Sequence, residues 1–380
     1  MYYTTFLKTK EKASKIEYLD LIINTNNEFD YQSRIEDITQ SITIATPNIP
    51  NFIKQHYDHY GDYYLRSILP QMKNFIERYE FVEKKSDFYR KFSIPKRKGG
   101  WRHLIEPKPE LKYIQQMILF TLSNVLKIRP YSAAHAFEPK KDAYTNAQIH
   151  KDSNYIIKYD FEDFFPSITK ELLIEKLSHI SQFAMLGEEF INLLAEIATF
   201  EGSLPQGSPL SPYLSNIIMT EFDYQIQQQM KDSKLPSYKY TRYADDLTFS
   251  AKTPGRFKEL TNGIQKILEE SYSNIIKLNK DKTKILKTTG RCYVTGVKIN
   301  KDHQLTYGHE KKNELKHEIC NMLIKFQNNQ LTKEEAQSIL GKWAYLKRIE
   351  PQYADYLEKK YLKMFNSQHK TFHKHLKAVL

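Results

Sequence analysis

The chain has 380 residues, with 57 Lys and Arg against 45 Asp and Glu and a formal net charge of +12 at pH 7. That length allows two or three packed units, and a hydrophobic content of 40% supports cores and excludes global disorder. The basic balance fits a polyanionic partner, while two cysteines, Cys292 and Cys320, exclude a disulfide framework and a CxxC metal site and suit a reducing cytoplasm.

Residues 1 to about 85 read as mostly helical, are punctuated by Pro47, Pro50 and Pro70, and carry no chemical motif. The start, Met1-Tyr2-Tyr3-Thr4-Thr5-Phe6-Leu7-Lys8, lacks the charged and apolar runs of a signal peptide. No apolar stretch of about 18 residues exists, so no transmembrane helix is expected.

Ser93 to Pro107 predicts a β-hairpin turning at Gly99-Gly100. Its tip carries Lys96, Arg97, Lys98 and Arg102, open to two readings: a clamp for a triphosphate or a solvated basic turn. Helical spacing follows from Lys108 to Lys127. If Asp142 to Asp152 is helical, Asn146 and His150 share a face at i and i+4 and either bind a nucleic-acid backbone or fix local structure. Asn154 to Asp160 reads as a buried strand ending in an acid, a rigid mount for a metal ligand or the start of a turn. A helix is expected from about Thr169.

Ser203 to Pro212 is proline punctuation around Gly207, with Gln206 available to a flat ligand; Ser211-Pro212 reads as an N-cap followed by proline at the first helical position. Tyr240 to Ser250 is a strand-like run broken by Asp245-Asp246, best resolved as a hairpin whose tip is open to two readings, an ordinary solvated turn or a dense negative charge that needs a hard cation such as Mg²⁺. Phe257 to Tyr272 is an amphipathic helix, Lys280, Lys282 and Lys284 share one face if extended, and Cys292 to Ile299 is a strand and turn. Helices are expected from Glu310, Thr332 and Pro351, their lysines either gripping a duplex or merely solvated. His369, His373 and His375 have no Cys or acid to complete a metal site.

In order, these elements resemble the reverse transcriptase family over roughly residues 85 to 300, on Asp160-Phe161-Glu162-Asp163-Phe164-Phe165, Leu204-Pro205-Gln206-Gly207 and Tyr243-Ala244-Asp245-Asp246. Asn146-Ala147-Gln148-Ile149-His150 and Val294-Thr295-Gly296 are similar to elements of bacterial retron reverse transcriptases, whereas His135-Ala136-Phe137 stands where His-Gly-Phe is expected. The resemblance implies an α+β, right-hand polymerase: an N-terminal helical extension (1–85), fingers (86–150), a palm of antiparallel sheet with packed helices (151–300) and a helical thumb (301–380). It implies two Mg²⁺ ions on Asp160, Asp245 and Asp246. It implies Lys282 as general acid, Lys96, Lys98, Arg102 and Gln206 on the incoming dNTP, and Phe165 as a gate against ribonucleotides. RNA recognition is expected from Asn146, His150, Val294, Thr295 and Gly296. The implied partners are a structured non-coding RNA serving as template and primer, its branched DNA product, dNTPs and a separate effector protein in defence against phage. Rival readings are another bacterial defence-type or group II intron-like reverse transcriptase, and a non-catalytic RNA-binding subunit.

Overall fold

The computed structural model describes residues 59–96, 99–232, 238–253, 256–365 and 371–372. Lys98, most of the N-terminal extension, and His369, His373 and His375 lie outside the described residues. The chain divides into two units, Met1–Tyr63 and Tyr64–Leu380, and the architecture below is that of the second.

Helix α1 (His59–Arg78) leads into the hairpin β1 (Tyr89–Pro95) and β2 (Trp101–Pro107), paired antiparallel from Tyr89↔Pro107 to Pro95↔Trp101. Gly99 and Gly100 both take positive φ at its tip, as the turn signal required. Helix α2 (Pro109–Phe120) starts with proline in its first turn and ends in a wider turn over Thr121–Val125. Helix α3 (Ala143–His150) is opened by a capping box in which the Asp142 carboxylate accepts from Thr145 N at 2.7 Å and Thr145 Oγ1 accepts from Asp142 N at 2.9 Å.

The central sheet holds β3 (Tyr155–Asp160), β4 (Lys239–Tyr243), β5 (Asp246–Ala251) and β6 (Lys284–Lys287) in the order β4-β5-β3-β6, all antiparallel. Helices α4 (Lys170–His179), α5 (Glu188–Ala198), α6 (Leu210–Ile218), α7 (Thr220–Asp232) and α8 (Phe257–Tyr272) contribute to the apolar cluster on its back. Strand alternation sorts the side chains. Ile157 and Tyr159 of β3 and Leu247, Phe249 and Ala251 of β5 enter that cluster, each worth roughly 1.5–3 kcal/mol of burial for the larger side chains. The opposite face carries Asp160, Lys158 and Ile156 beside Asp246, Thr248 and Ser250.

A second sheet, β7 (Cys292–Val294), β8 (Val297–Ile299) and β9 (Leu305–Thr306), shares another apolar cluster with α9 (His309–Gln327), α10 (Lys333–Ile349) and α11 (Pro351–Met364), joined by Ile156 and Ala147. Thr332 and Glu335 form a capping box at the start of α10, and Pro351 opens α11. Among the described residues no helix is long and apolar enough to cross a membrane.

Two expectations are corrected. Lys280, Lys282 and Lys284 do not share a strand, because the Asn279 side chain accepts from Asp281 N and Lys282 N and coils Lys280–Lys282 into a 3-10 turn; only Lys284 lies on β6. Helix α6 begins at Leu210 rather than after Ser211, its first amide donating to Ser208 Oγ at 3.2 Å, so Ser211 is a buried helical residue rather than the cap.

Candidate active site

The first rung of the central sheet carries the acids. Tyr243 pairs with Asp246 across the hairpin, and Asp246 pairs with Asp160 across β5 and β3. The turn between them is Ala244-Asp245, with Ala244 at φ 57, a left-handed conformation uncommon outside glycine. Asp245 is tied to the same corner, its carbonyl accepting from Phe161 N at 3.2 Å. Asp160 and Asp246, 86 residues apart in sequence, are therefore brought to one end of one sheet, with cross-strand Cα atoms about 4.5–5.5 Å apart.

The crowding shows in the electrostatics. Burial, then the charges of Asp246 and Asp160, push the Asp245 carboxyl up to about 6. Burial also raises Asp246, with Asp160 adding and Lys158 opposing. The neighbouring cation is Lys282, whose Nζ donates to Asp160 Oδ1 at 2.6 Å, and that hydrogen bond raises the lysine's own affinity for its proton. Three hard oxygen donors at one corner, two of them with their charged forms disfavoured by burial, fit a divalent cation. They are not gathered into a ready-made cage: among the described residues no group of three His, Cys, Asp or Glu is already poised to hold an ion. Mg²⁺ sites commonly combine one or two carboxylates with substrate phosphates, so such a cage is not required.

The other candidates fall into two groups. Arg102 and Lys96 are exposed on the β1–β2 hairpin. Gln206 is half-buried in a loop fastened to that hairpin, its carbonyl accepting from Ile105 N at 2.8 Å. The fastening explains Gly207: at φ 129 a Cβ would sit 2.8 Å from the Ile105 carbonyl oxygen. Phe165 is half-buried on the short turn Phe164–Ser167, its ring 5.6 Å from that of Phe164.

Asn146 and His150 do share a face of α3, but both are 0% exposed. His150 Nδ1 meets Ser250 Oγ and Nε2 meets Thr241 Oγ1, each at 2.8 Å, which pins α3 to β5 and β4. Asn146 Nδ2 donates to Thr295 Oγ1 at 3.3 Å. The expected direct contact with RNA is corrected for these two side chains by their burial: both are enclosed in the protein, His150 with both ring nitrogens engaged and Asn146 through Nδ2. Val294 is buried too, whereas Thr295 and Gly296 form the accessible β7–β8 turn, both at positive φ.

Sequence reasoning missed the support under the hairpin. Arg242, fully buried, donates through Nε and Nη2 to the buried Asp223 carboxylate at 2.9 and 2.8 Å, through Nη1 to Asn216 Oδ1 at 2.9 Å, and to the Ala244 carbonyl at 3.3 Å. An arginine one residue before the Tyr-Ala-Asp-Asp motif, inside a run otherwise suited to a buried strand, was the available signal.

A family model for reverse transcriptase (RNA-dependent DNA polymerase) matches residues 94–307. The Retron Ec83 reverse transcriptase of Escherichia coli is 31% identical over 281 residues, covering 72% of this chain and 86% of the relative. The Retron Ec73 enzyme of the same species is 30% identical over 281 residues, with the same coverages. The chain belongs to the reverse transcriptase family, and within it to the bacterial retron reverse transcriptases. The Retron Mx162 reverse transcriptase of Myxococcus xanthus is 33% identical over 237 residues, covering 56% of this chain and 47% of the relative. Among solved structures, telomerase from Candida albicans aligns over 77% of this reverse transcriptase and 63% of that chain at 13% identity, with a TM-score of 0.41. The retron reverse transcriptase is an RNA-directed DNA polymerase with the α+β fold of that family, and the family works with divalent metal ions.

Proposed function

We propose that the enzyme copies a cognate structured non-coding RNA into branched, multicopy single-stranded DNA, priming from an RNA 2′-OH. We further assign it to bacterial cytoplasm and to defence against phage with a separate effector protein. The carrying observation is the first sheet rung, where Asp160 and Asp246 face each other beside Asp245 in a chain akin to retron reverse transcriptases.

Asp160, Asp245 and Asp246 would hold two Mg²⁺ ions. Bound there, the ions would activate the priming hydroxyl and neutralise the triphosphate and leaving pyrophosphate. The residues themselves supply position and charge. Lys282, protonated and hydrogen-bonded to Asp160, is suited to give a proton to the leaving pyrophosphate. Arg102 and Lys96, with Lys98, would clamp the triphosphate from the hairpin, and Gln206 would meet the nucleotide or its template pair. Phe165 would exclude a ribose 2′-OH. The Thr295-Gly296 turn, braced by Asn146 from inside, is the RNA contact retained from the Val294-Thr295-Gly296 element. In this reading residues 86–150 act as fingers, 151–300 as palm and 301–380 as thumb, with residues 1–85 as an extension.

The test has two parts. Asp245→Asn is expected to abolish primer extension with Mg²⁺ and dNTPs while Tm and RNA binding hold; full activity refutes the assignment. Sequencing the nucleic acid that copurifies with the protein should return one RNA joined to DNA through a 2′–5′ branch; a heterogeneous, unbranched population refutes the retron product.

A further inference from the structure

A short segment borders the outer edge of β4. Arg242 N donates to Ala133 O at 2.9 Å and His135 N donates to Arg242 O at 2.7 Å, so Ala134 bridges Arg242 in parallel. Lys141 Nζ staples the segment by donating to the carbonyls of Ser132 and Ala134 at 2.6 and 2.7 Å. The parallel pairing is confined to this one bridge, after which the chain turns at Ala136-Phe137. Asn216 joins the two: its Nδ2 donates to Ala136 O at 2.7 Å, while its Oδ1 accepts from the Arg242 guanidinium that also holds the Ala244 carbonyl.

The next residue is Phe137. Its φ is 61, and the residue is 53% exposed. Ala136, standing where glycine was expected, is not among the positive-φ residues; the following phenylalanine carries the left-handed turn instead. A bulky residue in that region costs of order 1–3 kcal/mol, and a half-exposed ring returns little of it through packing. Strain maintained by a bracing network, around an exposed aromatic one residue beyond the carbonyl that Asn216 ties to the Arg242–Ala244 corner, is expected where the ring meets a ligand.

We propose that Phe137 is a stacking contact for the RNA–DNA hybrid, held in register with the Ala244-Asp245 turn by Asn216 and Arg242. Every base presents a flat face, so an aromatic there grips the strand without selecting its sequence. Asn216 and Arg242 act through Phe137 and the turn, as positioning residues.

The inference rests on the assignment of the acidic hairpin as the polymerase centre. The test measures equilibrium binding of a labelled RNA–DNA hybrid to the full chain by anisotropy without metal, and separately KM and kcat for primer extension. Phe137→Ala should weaken hybrid binding by about 5- to 100-fold, the span of a stacking contact removed by alanine. The loss should fall on KM for the hybrid rather than on kcat, with Tm held. Phe137→Tyr should restore binding, and Phe137→Gly, which relaxes the backbone and also lacks a ring, should be as weak as Phe137→Ala. The proposal is overturned if Phe137→Ala binds like the parent, if Phe137→Gly recovers binding, or if Phe137→Tyr is as weak as alanine and loses Tm with it. A hybrid that is still bound by Asp245→Asn but not extended upholds the polymerase centre whatever the Phe137 variants do.

Discussion

His150 meets two strand hydroxyls with its two ring nitrogens, and burial first, then the charges of His135 and Lys239, lowers its proton affinity to about 3. Its folded value lies below the ordinary 6.5, so the neutral ring stabilises the fold above that pH and the contribution is lost as pH falls toward 3. Stability should decline by ~1.4 kcal/mol per pH unit over that window from this group, and His150→Ala, which strands two buried hydroxyls, should cost about 2–4 kcal/mol and flatten that limb. Denaturant titrations of both proteins at pH 4.5 and 7.5 check this; equal pH dependence would remove His150 from the account. Phe165 supplies a separate expectation: Phe165→Ala should raise ribonucleotide over deoxyribonucleotide incorporation by roughly tenfold, ~1.4 kcal/mol, in competition assays. The i and i+4 spacing of Asn146 and His150 was legible, but their inward aim was not. Their partners Thr295, Thr241 and Ser250 lie 91–149 residues away, and no local pattern reports them.

Among elements, hairpins and strands were the most legible, because alternation, paired glycines and paired aspartates each force one local solution. The lysine-rich stretch and the start of α6 misled for a common reason. A side chain capping nearby amides, Asn279 in one case and Ser208 in the other, moved the boundary by a few residues. Gly207 shows what rigid junctions demand. Gly207→Ala would place a Cβ against the Ile105 carbonyl in a backbone region closed to alanine, so the loop must part from β2. Loss of about 1–3 kcal/mol of stability and a raised KM for dNTPs are expected, read by thermal melts and steady-state kinetics; unchanged kinetics would show that the β1–β2 hairpin and the Gln206 loop work independently.

At the scale of the molecule, a net charge of +12 makes binding to nucleic acid a counterion-release process. Affinity for an RNA–DNA hybrid should fall by about a thousandfold between roughly 50 and 200 mM salt if about six phosphates are neutralised. A flat salt titration would argue against a phosphate grip. Strand β3 belongs to both apolar clusters, with Ile157 and Tyr159 in one and Ile156 in the other, and it ends on Asp160. It works as an axle seated in two bearings. Were the C-terminal helices to grip a duplex as proposed, a load on them would reach, through that shared shaft, the corner that holds Asp160.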